Sequence, residues 1–407
     1  PRLGPPDEVW GDDDWECGEP GFNGESVDVN GTSLVIGYDA FCDIQPALDA
    51  VDSGATVHVL DGNYSAFNVT DNDVEVIGEE DWVYVRYCPL YASSLNGDYL
   101  AGIFANNVRL ENLIFEGYDF STCTLQAAVY CDNTTGTVLE NLDIVDVRDD
   151  CSIGYGIYVT GGGNTVDIVN PSISGCNVGI YVYDDTVNVS GGYIVGSYGY
   201  ASFCSTGVLA DWDSSVTLSG TEIYNQYQGA GTSPEPGTGP DPAGVGVYCD
   251  DGSSVTIMDC CSIHDNDVGI FTWGQVSPSA VEPGMSLSYL TANGNSIFDN
   301  RMWGIFNYNG HLHFTTPTVY PEPAPDDCEN TWWGDESGPN APGNSGIGDD
   351  LTVGPDYTPW LDAPCNAGGD PVGIGAKFKP SVRTAKAGDE VDFTDISTPP
   401  PGCDISS

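Results

Sequence analysis

An all-β solenoid of short strands is the fold class this sequence predicts, and three observations predict it. The first is a phrase the chain keeps rewriting. Gly156-Ile157-Tyr158-Val159 returns as Gly179-Ile180-Tyr181-Val182, Gly207-Val208-Leu209, Gly246-Val247-Tyr248, Gly269-Ile270-Phe271 and Gly304-Ile305-Phe306. Upstream, Gly102-Ile103-Phe104 and Ala128-Val129-Tyr130 join the same series. The longer steps hold insertions, so the underlying period is about 23–28 residues, the mark of units that bury their apolar faces only by stacking. The second observation is alternation. Each phrase is followed by a run such as Val166-Asp167-Ile168, Val187-Asn188-Val189, Val216-Thr217-Leu218 or Val255-Thr256-Ile257. A third apolar position follows at Ile173, Ile194, Ile223 or Ile263. Period-two runs punctuated by Gly, Asn, Asp and Ser read as half-buried strands. The third observation is that helical periodicity is almost absent after the first sixty residues. Three strands per repeat with no helix between them is the layout of a right-handed parallel β-helix, and leucine-rich or helical repeats fit badly.

Taken in order, residues 1–55 form an N-terminal cap with one short helix. The stretch 1–40 is rich in Asp, Gly and Pro and carries Trp10 and Trp15. An open solenoid end needs such a cover, because its strand edge is otherwise unpaired. Residues 40–51 are the one amphipathic helix candidate. Residues 56–328 are the β-helix, with the Ile, Val, Leu, Phe and Tyr of the repeated strands as its core. Two insertions, 229–244 and 273–284, leave it as loops; the first is a Gly/Pro/Ser/Thr run. Residues 329–365 close the far end, and 366–407 form a short β tail.

Composition narrows the partners. The formal net charge is −52, from 61 acidic residues against nine basic ones. Charged residues are 17% of the chain and aromatic ones 11%, which argues for a folded body rather than a disordered polyelectrolyte. Nucleic acid is excluded as a partner, since no basic surface exists to neutralise phosphates. No apolar run reaches membrane-spanning length. Cations are the natural partners. The 14 cysteines lack CxxC spacing and the four histidines are too sparse to complete zinc sites. An even count of this kind favours disulfides and an extracellular setting, with buried thiols stacked inside the solenoid as the other reading. Connectivity does not follow from the sequence, although Cys17–Cys42 and Cys328–Cys365 are pairings that could staple the two ends. Sequons at Asn30, Asn63, Asn68, Asn133 and Asn188 fit secretion and glycosylation. The chain opens on Pro1, which is read as the trace of a removed signal segment.

Three resemblances refine this reading. Phe41, Ile44, Gln45, Ala47, Leu48, Gly54, Val57, Val59, Gly62 and Tyr64 make a phrase that resembles the entry segment of secreted β-helix proteins of the pectate-lyase-like superfamily. That entry serves enzymes, adhesins and surface-layer proteins alike, so it implies fold rather than chemistry. Asn330-Thr331-Trp332-Trp333-Gly334, Gly348-Asp349 and Tyr357-Thr358-Pro359-Trp360-Leu361 resemble the closure of β-helices in cell-surface proteins, archaeal ones included. Residues 376–398 resemble the first two strands of a polycystic-kidney-disease-type immunoglobulin-like domain, without that family's later Trp-Asp-Phe-Gly-Asp-Gly. Lys377, Lys379, Arg383 and Lys386 concentrate basic charge there.

A catalytic set is not legible. Uronate lyases on this fold need a base and a calcium-held substrate carboxylate. The solenoid offers only Arg86, Arg109, Arg148 and Arg301, and the acidic body repels a polyanion. Arg148 beside Asp149 and Asp150 is the best imitation of a lyase site. The hydrolase carboxylate set is absent as a set, and His311 and His313 read as structural. A positional pattern remains: Asp132, Asp184 with its neighbour Asp185, Asp211, and Asp250 with Asp251 begin four or five residues after the repeated glycine position. Stacked along one edge at about 4.8 Å per coil, they predict a ladder of bound Ca2+; the plainer reading is a column of acidic turns. The functional expectation is an extracellular structural protein, a self-assembling surface-layer, sheath or filament subunit whose partners are its own copies. The alternative is a carbohydrate-active enzyme or glycan-binding adhesin, with Trp212, Trp273, Trp303, Trp332 and Trp333 stacking on sugar rings.

Overall fold

The computed structural model describes residues 4–15, 24–86, 99–117, 126–147, 154–196, 205–227, 244–273, 288–307, 327–341 and 344–351, with 357, 360, 361, 363–365, 378–380 and 393–395. Three parallel sheets run along it, one of eleven strands and two of nine. One coil visits each sheet once. Tyr155–Thr160 lies in what we call the glycine sheet, Thr165–Val169 in the alternating sheet and Ser172–Ser174 in the short sheet. The next coil opens at Val178–Tyr183, paired in parallel with Tyr155–Thr160. The chain is a parallel β-helix.

The inward positions stack in register. Ile157, Ile180 and Val208 lie in one column; Val166, Val187, Val216 and Val255 in a second; Ile173, Ile194, Ile223 and Ile263 in a third. None of these is more than 1% exposed, so each contributes about 1.5–3 kcal/mol by burial. The tyrosines of the repeated phrase are not in this core. Tyr155 and Tyr158 both face outward, because the chain between them breaks the strict alternation at Gly156-Ile157.

That break explains the recurring glycine. A Cβ on Gly156, Gly179, Gly207 or Gly246 would stand 2.5 Å from the carbonyl oxygen of the next coil's glycine. Only a residue without a side chain admits that approach. The register also corrects the start of the series: Gly102 pairs with Tyr130, so Leu100, not Gly102, precedes Ala128 and Gly156 in the column. Leu100 and Ala128 are fully buried.

The N-terminal cap covers the first edge by pairing. Glu8–Gly11 joins Thr56–Val59 on one side and Ala40–Phe41 on the other, which is why the expected helix is shorter, Ile44–Leu48. Asp43 caps it, accepting from the Ile44 N–H at 2.8 Å. Ser26–Val29 and Thr32–Val35 form a hairpin turned by Asn30-Gly31, both at positive φ. At the far end Trp333 is fully buried as a plug, and Leu351 bridges to Ile305. Phe378–Pro380 pairs antiparallel with Phe393–Asp395. Lys379 lies in the first of these strands, whereas Lys377, Arg383 and Lys386 lie outside the described residues.

Cysteine placement divides the expectation. Cys365 is bonded to Cys260, with Cα atoms 5.2 Å apart, and not to Cys328. Cys42 is disulfide-bonded, while Cys17 lies outside the described residues. Cys131, Cys176, Cys249, Cys261 and Cys328 are instead buried in the column as thiols. Cys131 and Cys249 occupy the position that Val159 and Val182 hold elsewhere, so they pack as small apolar side chains.

Polar groups at the inner corners form ladders between coils. Asn164 donates from its backbone to Asp185 at 2.7 Å and from its side chain at 2.9 Å. Ser214 receives from the Asp185 N–H and itself donates a backbone N–H to Ser253. A second ladder runs Gln226, Asn266, Asn300 and ends on Asp349, which accepts from the Asn300 side chain at 2.7 Å.

Two outcomes test this packing. Gly207→Ala should lower stability by about 1–3 kcal/mol, the usual penalty for overpacking, read as a lower urea midpoint. Burial pushes the Asp349 carboxyl up to about 7, against the lowering pull of the Asn300 donors. Its folded value exceeds its unfolded 3.8, so its contribution to stability is greatest in acid and is lost as pH rises towards 7. Asp349→Asn should raise the melting temperature at pH 8 and flatten its slope between about pH 4 and 7.

Candidate functional site: an aromatic wall on the glycine sheet

The outward column of the repeated phrase reads Tyr130, Tyr158, Tyr181, Leu209, Tyr248, Phe271, Phe306, each in register with the next. Tyr99, Tyr155 and Trp303 lie in the column beside it. Parallel pairing sets neighbouring coils about 4.8 Å apart, so such rings must touch. Tyr99 stacks on Tyr130 at 5.1 Å, Tyr158 on Tyr181 at 4.9 Å and Phe271 on Phe306 at 5.4 Å. Tyr183 stacks on Trp212, which is 51% exposed. Val245, Val268 and Phe271 form an apolar cluster apart from the core, with Trp273, Met302 and Trp303 packed against it.

Carboxylates line the edge of this wall. Asp132, Thr160, Tyr183, Asp211 and Asp250 occupy one register column. The Tyr181 hydroxyl donates to Asp211 at 2.9 Å. Tyr248 makes the same bond to Asp250, and Tyr130 to Asp132. Burial raises the Tyr130 hydroxyl to about 12, with the Asp132 charge adding to it. Burial likewise pushes Asp250 up to about 6, against the pull of the Asp251 N–H at 2.8 Å and the Tyr248 hydroxyl. Asp251 is raised by burial and then by Asp211 and Asp213.

The six aspartates therefore do not make one ladder. Thr160 and Tyr183 interrupt the column between Asp132 and Asp211. Asp185 is only 3% exposed and turns inward to the Asn164 bonds. Asp184 sits on the exposed turn at φ 58. Among the described residues no group of three or more His, Cys, Asp or Glu side chains is placed to hold a metal ion.

The remaining candidates scatter. Asn30, Asn63, Asn133 and Asn188 are exposed, whereas Asn68 is half-buried with its side-chain oxygen shielded from water. Arg109 is held by Glu111 and Glu140, Arg86 by Glu116, and Arg301 by Asp267. Arg148, Asp149, Asp150, His311 and His313 lie outside the described residues, as do almost all of 229–244 and 273–284. Trp333 is a core plug and unavailable to a ligand, and Trp332 is half-buried beside it. The wall itself was written in the sequence as an aromatic at the third place of the phrase. Only the break at the glycine turns that place outward.

A family model described as the right-handed beta helix region matches residues 127–320. The chain is accordingly a right-handed parallel β-helix. Among solved structures it is similar to a mutant tailspike protein of E. coli bacteriophage HK620 in complex with a hexasaccharide, at 13% identity and a TM-score of 0.30. That match covers 73% of this chain and 55% of the tailspike chain. No curated protein matches significantly. Among the described residues no helix is long and apolar enough to cross a membrane.

Tyr248→Phe removes a donor from Asp250 and should move its titration above about 6, observed by NMR of the side-chain carboxyl.

Proposed function

We propose that this protein is an extracellular glycan-binding β-helix and that the aromatic wall of the glycine sheet is its binding face. The observation that carries the reading is a pair of runs of outward rings, from Tyr99 to Tyr181 and from Tyr248 to Phe306, separated only by Leu209. Sugar rings offer apolar C–H faces with hydroxyl edges. A wall of tyrosines bordered by carboxylates matches both, since each tyrosine presents an apolar body and a polar tip. The disulfide between Cys260 and Cys365 and the exposed sequons at Asn30, Asn63, Asn133 and Asn188 support a secreted setting.

A second reading, a subunit that assembles with its own copies, is favoured by one observation. The strands Phe378–Pro380 and Phe393–Asp395 are three residues each. A two-stranded ribbon so short is marginal alone and gains from strands of a neighbour. Lys377, Lys379, Arg383 and Lys386 would then meet an acidic body.

The two readings separate experimentally. Tyr158→Ala with Tyr181→Ala should weaken affinity for a retained polysaccharide by about tenfold or more, roughly 1.4 kcal/mol, measured by calorimetry against a glycan panel. Retention of full affinity would remove the wall from the account. Deleting 366–407 should leave that affinity intact; if ordered polymers seen by electron microscopy vanish with the deletion, the assembly reading gains.

A further inference from the structure

We propose, resting on the glycan-binding reading, that the wall selects a cationic glycan, a polymer containing amino sugars with free ammonium groups, over neutral and anionic ones. The argument starts from hydrogen-bond supply. A tyrosine brings one O–H donor, and beside the edge carboxylates three of the wall's donors are already spent: Tyr181 on Asp211, Tyr248 on Asp250 and Tyr130 on Asp132. What remains facing outward at these positions is acceptor: phenolic oxygen lone pairs and carboxylate oxygens. A ligand held at this edge must bring the protons itself.

Charge points the same way. The described strands of the glycine sheet carry no Lys, Arg or His, while Asp132, Asp211 and Asp250 stand in its edge column and Asp213 and Asp251 on the turns beside it. Arg301, two residues before Trp303, is bound to Asp267 at 2.9 Å and lies over the Tyr227 ring. A uronate or sulfated chain would meet unrelieved repulsion, whereas an ammonium group gains from both the carboxylates and the faces of the rings. The ligand must also be long. From the coil of Asp132 to that of Asp250 are four steps, about 19 Å at the parallel-sheet spacing. One small cation cannot span that distance, but a chain of sugars bearing repeated ammonium groups can.

The test uses the full chain and three polymers of matched length: a de-N-acetylated hexosamine polymer, its fully N-acetylated counterpart and a polyuronate. Calorimetry should show the amine polymer binding at least about tenfold more tightly than the N-acetylated one, with no detectable binding of the polyuronate. Asp211→Asn with Asp250→Asn should abolish that preference while leaving the weaker, ring-based binding of the N-acetylated polymer. Asp167→Asn, on the outer face of the alternating sheet, changes one charge as a control and should leave it unaltered. Equal binding of the N-acetylated and amine polymers overturns the inference and leaves the glycan-binding reading standing. An amine preference that survives the double variant, or that Asp167→Asn weakens as much, assigns it to the general acidity of the surface and also overturns it. Failure of all three polymers, with capture only of a synthetic 371–386 peptide, would sink both readings and make the wall an interface between copies.

Discussion

Backbone pairing between successive coils is the interaction on which everything else in this molecule depends. Each strand exchanges its N–H and C=O groups with the coil before and the coil after, so no single coil is a stable object. The requirement is strictest at the glycine column, where the next coil's carbonyl oxygen takes the space of a side chain. A residue with a Cβ at Gly179 would meet both that oxygen and Ile194, each at 2.5 Å. The spacing of the inward columns, the contact of the outward rings and the register of the acidic edge all inherit their dimensions from this one approach. Both ends of the column then need covers, supplied by Glu8–Gly11 with Ala40–Phe41 at one end and by Trp333 with Gly348–Asp350 at the other.

The same stacking governs which polar residues are structural. Where the chain turns between sheets, backbone groups point into an apolar column, and each needs a partner in the adjoining coil. Thr134, Asn164, Asp185, Ser214 and Ser253 are all buried at one such corner and hand hydrogen bonds along it. At an outer corner Asn112, Asn141 and Asn170 adopt left-handed backbone and link side chain to side chain at 3.1 and 3.0 Å. Side chains of Asp and Asn suit these places because they tolerate positive φ and bond locally. An aspartate in this fold is therefore evidence of a turn before it is evidence of a ligand, and Asp185 illustrates the distinction.

Much of the architecture was legible in the residues. Alternation in Val187-Asn188-Val189 maps directly onto inside, outside, inside, because the side-chain period of a strand is two. The alternation in Thr56–Val59, with Val57 and Val59 turned inward, was equally readable. What escaped was whatever depends on the partner coil. The slip at Gly102 could not be seen, since register is set by hydrogen bonding to Ala127–Asp132 rather than by likeness of sequence. Cys131 and Cys249 looked like disulfide stock, yet an inward place beside Val159 and Ala210 makes them packing residues. The tyrosines were misplaced for the reason that matters most to function: strict alternation would bury Tyr158, and only the break at Gly156 sends it out with Tyr155.

That displacement bears on why the wall exists. The column would be as well packed with small polar residues on its outer face, as the alternating sheet shows with Thr186, Asn188 and Ser190 outside Val187 and Val189. The glycine sheet instead sets rings on its outer face, and they stack on one another from coil to coil. Phe271 is 6% exposed, and it lies in a cluster separate from the interior. Ring-to-ring contact between coils adds about 0.5–1.5 kcal/mol per pair, a real contribution to longitudinal cohesion. Cohesion alone does not call for carboxylates beside the rings, however. Asp250 is carried at about 6 by burial, against the pull of the Asp251 N–H, and the charges of Asp251 and Asp211 add to its cost. On the glycan-binding proposal, a surface that crowds like charges against aromatic faces would favour a ligand that brings positive charge.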